Sequence, residues 1–384
     1  MLIQFSLTNY RNFKNTAVLD LSEAKITEFP EHLYHSDDNM GILPMTAIYG
    51  PNGSGKSNFL KGLWDLRNLI LDAPSVKNLH PCFCFDPESK KNPVEFDILF
   101  RIDTREYEYQ LKLTDKIVLE ENLFGRNLTD NTFDVLIDRD SDGVFLCEAW
   151  EQTDVSKLDD NVPLLYFLGV SKNELEITSI IRFFRNIVFF SGHQIKRELL
   201  DTVIKSRTLK SRLLSHLPAL DLDITNIRLS GENIILTHSY QNHHVDLNWE
   251  DESAGTRQLL SLLACIIHAM ENHTLILADD PETHLHPKAV NYLYRLFTAP
   301  KTESEGAQLI TVTHENSNMN NSLFRRDELW LVSKNEEGAS SLYTLALFLK
   351  ESGEKVRKDE TYFKQYLEGR YGAIPTITLT RKQL

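Results

Sequence analysis

The residue spacing with the clearest chemistry lies between Gly50 and Ser57, in the stretch AIYGPNGSGKSNFLKGL. It has the form G-x-x-x-x-G-K-S. A short apolar run precedes it and apolar residues at helical spacing follow it, which is the strand–loop–helix setting of a phosphate-binding loop. Loop N–H groups and the helix N-terminus attract phosphate oxygens. The nucleotide-binding residues predicted from this motif are Gly50, Pro51, Asn52, Gly53, Ser54, Gly55, Lys56, Ser57 and Asn58.

Two side chains of this loop have distinct predicted roles. Lys56 can reach the β- and γ-phosphates of ATP, and the Ser57 hydroxyl can bind Mg²⁺. The alternative is an ordinary loop rich in Gly, Ser and Asn between a strand and a helix. The complete motif in its required setting favours ATP and Mg²⁺.

A second group of candidates follows the apolar run Leu275–Ala278. Asp279 and Asp280 come at the predicted end of this buried strand, where paired acids serve ATP hydrolysis. Asp279 would hold Mg²⁺ and Asp280 would polarise the attacking water. Paired acids also occur in ordinary loops, so they are strong evidence for ATP hydrolysis only together with the phosphate loop.

Two further segments have polar residues at element ends. Ser253, Ala254, Gly255 and Thr256 precede an apolar helix, and a helix N-terminus binds anions. Because Ser is also a good N-cap, a simple capping loop explains this segment equally well. His314 ends another apolar run, where it could contact a γ-phosphate or be a structural histidine.

The elements that position these residues alternate between the periodicities of strands and helices. Alternation predicts an N-terminal strand at 2–8 and an antiparallel meander over 93–122. Helices are expected at 164–184, 195–217 and 258–268. The helix at 196–214 is basic, which is typical of a solvated face or of a docking surface. Further strands are predicted at 46–49, 187–190, 224–229, 234–239, 274–278, 309–313, 329–333 and 342–347.

The composition narrows the functional classes. The chain has 384 residues, a formal net charge of −14 and 41% hydrophobic residues. An acidic chain repels nucleic acid on average, although the basic helix keeps a nucleic-acid partner open. No apolar run is long enough to cross a membrane, and four cysteines are too few for a disulfide framework. We therefore expect a cytoplasmic protein without a membrane partner.

The order of these motifs resembles the ABC-type ATPases of the RecF, SMC and OLD group. The resemblance implies an α/β fold: an ABC-type P-loop ATPase with an N-terminal antiparallel β subdomain, a central mostly parallel sheet and a helical lobe or insertion. Ser253–Thr256 resembles the signature loop that binds the ATP of a second protomer, 282–287 the D-loop, and His314 the switch histidine. Arg11, Asn12 and Phe13 resemble an N-terminal motif near the nucleotide, and Gln194 the glutamine that binds Mg²⁺.

The implied domains are an ATPase N-terminal lobe (1–145), a mainly helical insertion (146–232), an ATPase C-terminal lobe (233–349) and a tail (350–384). The catalytic residues would be Lys56, Asp280 and His314. Asp280 stands where this group usually has Glu, which predicts slow hydrolysis. The partner implied first is a second copy in an ATP-sandwich dimer, with higher oligomers left open.

A closer resemblance is to small ATPases of bacterial anti-phage systems: RloA, AbiLi-like proteins and the AriA subunit of PARIS. It implies a nucleotide-gated switch that controls a separately encoded effector, such as a Toprim-type nuclease. The stretch after His314 is shorter than a typical domain, so we expect the chain not to be the nuclease itself. The alternative is a RecF-like DNA-repair ATPase that binds DNA directly. A transporter ATPase is disfavoured because the signature is SAGT rather than SGGQ.

Overall fold

The computed structural model describes residues 1–35, 40–72, 82–171, 174–194, 197–241, 243–298, 306–350 and 352–375. Lys196 of the predicted basic helix and the last part of the tail lie outside these residues. The helices are α1 (Lys56–Asp72), α2 (Leu164–Ser171), α3 (Leu175–Arg185), α4 (Glu198–Lys205), α5 (Arg207–His216), α6 (Ala254–Asn272), α7 (Pro287–Thr298) and α8 (Tyr362–Leu367).

In the described part of the chain, four sheets are formed by the following strands. They are β1 (Leu2–Thr8), β2 (Ala17–Asp20), β3 (Tyr34–His35), β4 (Gly41–Ile42), β5 (Met45–Tyr49), β6 (Val94–Ile102), β7 (Arg105–Leu113), β8 (Val118–Asn127), β9 (Phe133–Asp140), β10 (Gly143–Leu146), β11 (Ile187–Ser191), β12 (Ile224–Ser230), β13 (Asn233–Tyr240), β14 (His243–Asn248), β15 (Leu275–Asp279), β16 (Gln308–Val312), β17 (Leu329–Lys334) and β18 (Ser340–Thr344).

An antiparallel sheet of seven strands comes first, in the order β10-β9-β8-β7-β6-β1-β2. Its central strands alternate between buried and half-exposed side chains, as a sheet with one packed face requires. The predicted meander over 93–122 is confirmed as β6 to β8. The sequence did not predict β9 and β10, because β9 leaves most of its side chains exposed and lacks the alternation.

The central sheet has the order β11-β15-β16-β5-β17-β18. Its pairs are parallel except β17–β18, so the carboxyl ends of β5, β11, β15 and β16 meet at one edge. Strands β5, β15 and β16 are buried at every position, which explains their mostly apolar sequences. The predicted α/β fold with an antiparallel and a mostly parallel sheet is confirmed.

Two apolar clusters cover the faces of this sheet. Leu275 and Leu277 of β15 belong to the cluster that includes α1, α2 and α3. Ile276 and Ala278 belong to the cluster of α4 to α7. The sheet is therefore packed on both faces, and α1 and α6 lie on opposite sides of β15.

The prediction of one helix over 195–217 is wrong. The chain forms α4 and α5, with Ser206 between them in an extended conformation. The Ser206 hydroxyl accepts a hydrogen bond from the Leu209 backbone N–H, which starts a new helix. Strand β14 and helix α7 were not predicted.

The division into four segments stays a prediction. Two structural facts bear on it. Strand β11 lies inside the segment 146–232 yet is part of the central sheet. Strand β12, in the same segment, pairs with β13 of the next one. In the described ranges, no helix is both long and apolar enough for a membrane crossing.

Candidate nucleotide-binding site

The phosphate loop joins β5 to α1 and is held in place by two glycines. Gly50 has φ 152°, and a Cβ there would lie 2.4 Å from the Val332 carbonyl oxygen. Gly55 has φ 109°, and its Cβ would lie 1.8 Å from the amide nitrogen of Asn12. Both positions exclude a side chain by contact as well as by backbone conformation. The loop is thus packed closely between β17 and the N-terminal segment.

Lys56 is the first residue of α1 and its side chain turns back over the loop. Its Nζ donates to the carbonyl oxygens of Gly50 (2.7 Å) and Pro51 (3.1 Å). Burial lowers the pKa of Lys56 to about 8, and the nearby acids Asp280 and Asp279 act in the opposite direction. A buried ammonium whose hydrogen-bond partners are neutral groups is suited to bind a phosphate oxygen, which offers a full charge.

Ser57 and Asp279 meet at the carboxyl edge of the central sheet. The Ser57 hydroxyl donates to Asp279 Oδ1 at 2.7 Å. Within the described residues, no group of three or more His, Cys, Asp or Glu side chains is arranged to hold a metal ion. One hydroxyl and one carboxylate nevertheless fit Mg²⁺, which takes few protein ligands and completes its shell with phosphate and water.

Asp280 lies between two imidazoles. Its Oδ2 is 3.3 Å from His193 Nε2, and its Oδ1 is 3.7 Å from His314 Nε2. Asp280 has φ 48°, and its backbone N–H donates to the Val312 carbonyl at 2.9 Å. Oδ1 is buried without a hydrogen-bond partner among the described residues. The carboxylate is therefore fixed in direction and has one oxygen available.

His314 connects the acid to the phosphate loop. Its Nδ1 lies 3.4 Å from Lys56 Nζ. Burial, followed by the charge of Lys56, lowers the pKa of His314. A neutral imidazole at this position can donate to or accept from a group bound between Lys56 and Asp280.

Glu282, the other acid after β15, is held by the next strand end. Its Oε1 accepts from the Thr313 hydroxyl (2.6 Å) and from the backbone N–H groups of His314 (2.9 Å) and Glu315 (3.3 Å). Burial raises the pKa of Glu282, and these hydrogen bonds act against that shift. Because one oxygen accepts from three donors, this carboxylate connects the turn after β15 to the turn after β16.

Asn12 supports the phosphate loop from the N-terminal side. Its Nδ2 donates to the Ser54 carbonyl at 2.9 Å, and its Oδ1 accepts from Asn58 Nδ2 at 2.7 Å. Ser340 hydrogen-bonds both Asn12 and the Ser54 carbonyl. The predicted residues Asn12, Ser54 and Asn58 thus form one network, which Ser340 of β18 completes.

Arg11 and Phe13 lie differently. Arg11 Nε donates to the Tyr10 hydroxyl at 2.9 Å, and its guanidinium is 3.7 Å from Asp65 on α1. Phe13 is fully buried and packs edge-to-face on Phe59 at 5.7 Å. These contacts position the N-terminal segment against α1, and neither side chain has a described contact with the phosphate loop.

The Ser253–Thr256 segment begins α6. The Ser253 hydroxyl accepts from the Thr256 backbone N–H at 3.0 Å, and Ser253 is exposed. Further along the helix, buried Gln258 donates through Nε2 to the Pro281 carbonyl at 3.2 Å. The helix start is therefore an N-cap that is tied to the turn after Asp280, and both roles predicted for it stay compatible with this geometry.

Gln194, the residue expected to bind Mg²⁺, and its neighbour His193 lie in different surroundings. Gln194 is exposed and lies beside α1 and α6, whereas its neighbour His193 reaches Asp280. A Cβ on Gly192 would lie 1.7 Å from the Asp280 carbonyl oxygen, so this turn packs directly on the acidic turn. Sequence reasoning missed His193, although Gly192-His193 after a predicted strand was a usable signal. It also missed Ser340, which had none.

The fold and the site together define an ATP-binding P-loop ATPase. The family model described as "AAA domain, putative AbiEii toxin, Type IV TA system" matches residues 45–144 and 181–320. This match spans more than half of the chain, and the chain belongs to that family. No curated protein matches the chain significantly.

Solved structures with similarity include the SMC head domain from Thermotoga maritima, at 16% identity and a TM-score of 0.47, covering 89% of this chain and 98% of that chain. An SMC head bound to the C-terminal winged-helix domain of ScpA has 15% identity and a TM-score of 0.47, covering 90% and 98%. A dimeric ATP-binding cassette in a post-hydrolysis state, bound to ADP and Pi, has 15% identity and a TM-score of 0.31, covering 90% and 100%.

Proposed function

We propose that the chain binds Mg·ATP at the phosphate loop and hydrolyses it slowly. The observation that carries this proposal is the convergence of Lys56, Ser57, Asp279, Asp280 and His314 at one sheet edge. Lys56 would bind the β- and γ-phosphates, while Ser57 and Asp279 would hold Mg²⁺. That ion would neutralise charge on the phosphates.

Asp280 is the proposed general base. Its free Oδ1 can accept a proton from water, and His193 and His314 fix its direction. An aspartate reaches less far than a glutamate, so the attacking water would be held less closely. A base outside hydrogen-bond reach loses much of its effect, which supports a long-lived ATP state.

The Ser253–Thr256 segment is proposed to bind the ATP of a second copy. Its helix start offers backbone N–H groups to an anion, and Ser253 is exposed. The described contacts of this helix start lead to the turn after β15, not to the phosphate loop of the same chain. Two such copies would enclose two ATP molecules in a symmetric dimer.

The biological role that we propose is an ATP-gated switch in anti-phage defence. It would control a separately encoded effector, such as a Toprim-type nuclease. Support comes from the sequence resemblance and from the toxin–antitoxin description of the family. The runner-up is a RecF-like ATPase that clamps DNA. Tight, salt-sensitive DNA binding by the lone chain would favour it.

Calorimetric titration with Mg·ATP tests the binding step. Lys56→Ala should weaken ATP binding at least tenfold, because a buried charge-assisted contact is lost. Lys61→Ala, at an exposed position on the same helix, is the matched control and should bind like the wild type. Equal affinity in Lys56→Ala and the wild type would contradict the proposed site.

The proposal that the effector is a separate polypeptide has its own test. The lone chain, incubated with Mg²⁺, Mn²⁺ and ATP, should leave DNA and RNA intact.

A further inference from the structure

In the part of the chain that the structure describes, strand β11 is the edge of the central sheet, and one of its sides is not paired with another strand. Among the described strands it pairs only with β15. The Leu275 N–H donates to the Asn186 carbonyl at 3.0 Å, and the Gly192 N–H donates to the Asp279 carbonyl at 2.8 Å. Alternate residues of a parallel strand bond to opposite sides. The backbone groups that face away from β15 therefore belong to Ile187, Phe189 and Ser191. Of these, the Ser191 carbonyl already accepts from the Gln194 N–H at 3.1 Å, which leaves Ile187 and Phe189 for an added strand.

A groove of about 240 Å³ lies along this free edge. Trp64 of α1 lines one wall, with its ring 5.7 Å from that of Phe189. Leu199 and the exposed Glu198 of α4 and Cys265 of α6 line the other wall, so the positive charge of the groove is confined to the α1 side. Phe189 and Trp64 are only half-buried. A free strand edge between two walls has the shape that an added extended segment fills.

The α1 wall is positively charged. Arg67 lies 4.5 Å over the Trp64 ring, and its side chain is only 17% exposed. Its one acidic contact in the described part is 3.7 Å to Asp72, which is 67% exposed. Arg185, at the end of α3, lines the same groove and is exposed. Burial lowers the pKa of Arg67, and the charge of Arg185 adds to that effect. Arg67 Nη1 also donates to the neutral Asn68 Oδ1 at 2.9 Å, so Asp72 is the one weak acidic partner in the described part. Two neighbouring guanidinium groups with so little negative charge beside them favour carboxylates.

We propose that β11 binds an extended acidic segment of a partner polypeptide as an additional strand. Acidic side chains of that segment face Arg67 and Arg185, and the apolar side chains between them face Leu199 and Cys265. This inference rests on the proposed function, since it supplies the surface through which the ATPase contacts its effector. Strand β11 leads directly into the turn that places His193 on Asp280. The strand that binds the partner segment is therefore continuous with the turn that contacts the proposed general base.

The test uses the full chain and a synthetic peptide of about eight residues with alternating Glu and Val. A matched peptide of alternating Lys and Val is the control. Fluorescence anisotropy measures binding, and hydrogen exchange reports on the segment that contains β11. The acidic peptide should bind and protect β11, and binding should weaken about tenfold in Arg67→Glu and in Arg185→Glu. Lys364→Glu, an exposed change on α8, should leave binding unchanged.

Three results would contradict the proposal that β11 is a docking surface for an acidic segment. One is no binding of the acidic peptide at about 1 mM, a concentration that detects even weak complexes. A second is equal binding of both peptides, and the third is protection of β11 in the chain alone that rises with its concentration. The last result would assign this edge to a second copy. Mg·ATP titration of the same samples separates these failures from failure of the ATPase proposal, because ATP binding requires neither arginine.

Discussion

The choice of general base between Asp280 and Glu282 gives the sharpest prediction about hydrolysis. Asp280 has a free, buried oxygen between two imidazoles, whereas Glu282 already accepts three hydrogen bonds through one oxygen. Asp280→Asn removes the basic oxygen and keeps the shape. General-base assistance is worth about 10²–10⁴-fold, so single-turnover ATP hydrolysis should slow by at least 100-fold.

The matched variant Glu282→Gln should affect stability instead. Its amide oxygen can still accept from Thr313 and from the two backbone N–H groups, but without the charge. Loss of charge assistance costs about 1–3 kcal/mol, which lowers the Tm by a few degrees. The hydrolysis rate per folded molecule should change less than tenfold.

Asp280→Glu completes the series. The extra methylene extends the carboxylate by about 1.5 Å, and hydrolysis should stay equal or increase. Rates are measured in single turnover with Mg·ATP, after circular dichroism has established that each variant is folded. If Asp280→Asn hydrolyses like the wild type while Glu282→Gln is inactive, the assignment of the base is wrong, and the argument for a slow switch is wrong with it.

Two further predictions follow from the geometry. His193→Ala should slow single-turnover hydrolysis about tenfold and leave the ATP affinity unchanged, because His193 orients Asp280 without contacting the phosphate loop. An unchanged hydrolysis rate would show that His314 alone suffices to orient Asp280. Burial, with Glu108 nearby, raises the pKa of Asp97 to about 6. The charged form is therefore disfavoured in the fold, so Asp97→Asn should raise the Tm at pH 7.5 and have little effect near pH 4, as differential scanning fluorimetry can check.

Much of the fold could be predicted because the site elements have strong local signals. The buried strands β5, β15 and β16 are short, mostly apolar runs. Each leads within two residues to residues that can do chemistry: the phosphate loop after β5, Asp279 and Asp280 at the end of β15, and His314 after β16. The phosphate-loop motif requires a strand before it and a helix after it, so the motif also predicted these two elements. Such signals lie within a few neighbouring residues, which is why the sequence alone predicted these strands, whereas their assembly into a mostly parallel sheet was implied by the family resemblance.

What could not be predicted depends on contacts between distant segments. Ser340 reaches the phosphate loop only because β18 pairs with β17 at the edge of the sheet. The choice of His193 over Gln194 depends on how the Gly192 turn packs on Asp280. The interruption at Ser206 is a local N-cap that the helical periodicity on both sides concealed. Strand β14 is largely exposed and therefore has no apolar alternation.

The central claim is that two copies share each ATP, and complementation tests it most directly. Lys56→Ala should lose ATP binding, and Ser253→Arg should bind ATP but block closure by its bulk. In an equal mixture, each mixed dimer has one intact composite site, formed by Lys56 of one copy and Ser253 of the other. Random pairing makes half of the dimers mixed, so about a quarter of the wild-type ATPase rate should return. If cross-linking shows that mixed dimers form and the mixture stays as inactive as each variant alone, the shared-site arrangement is contradicted.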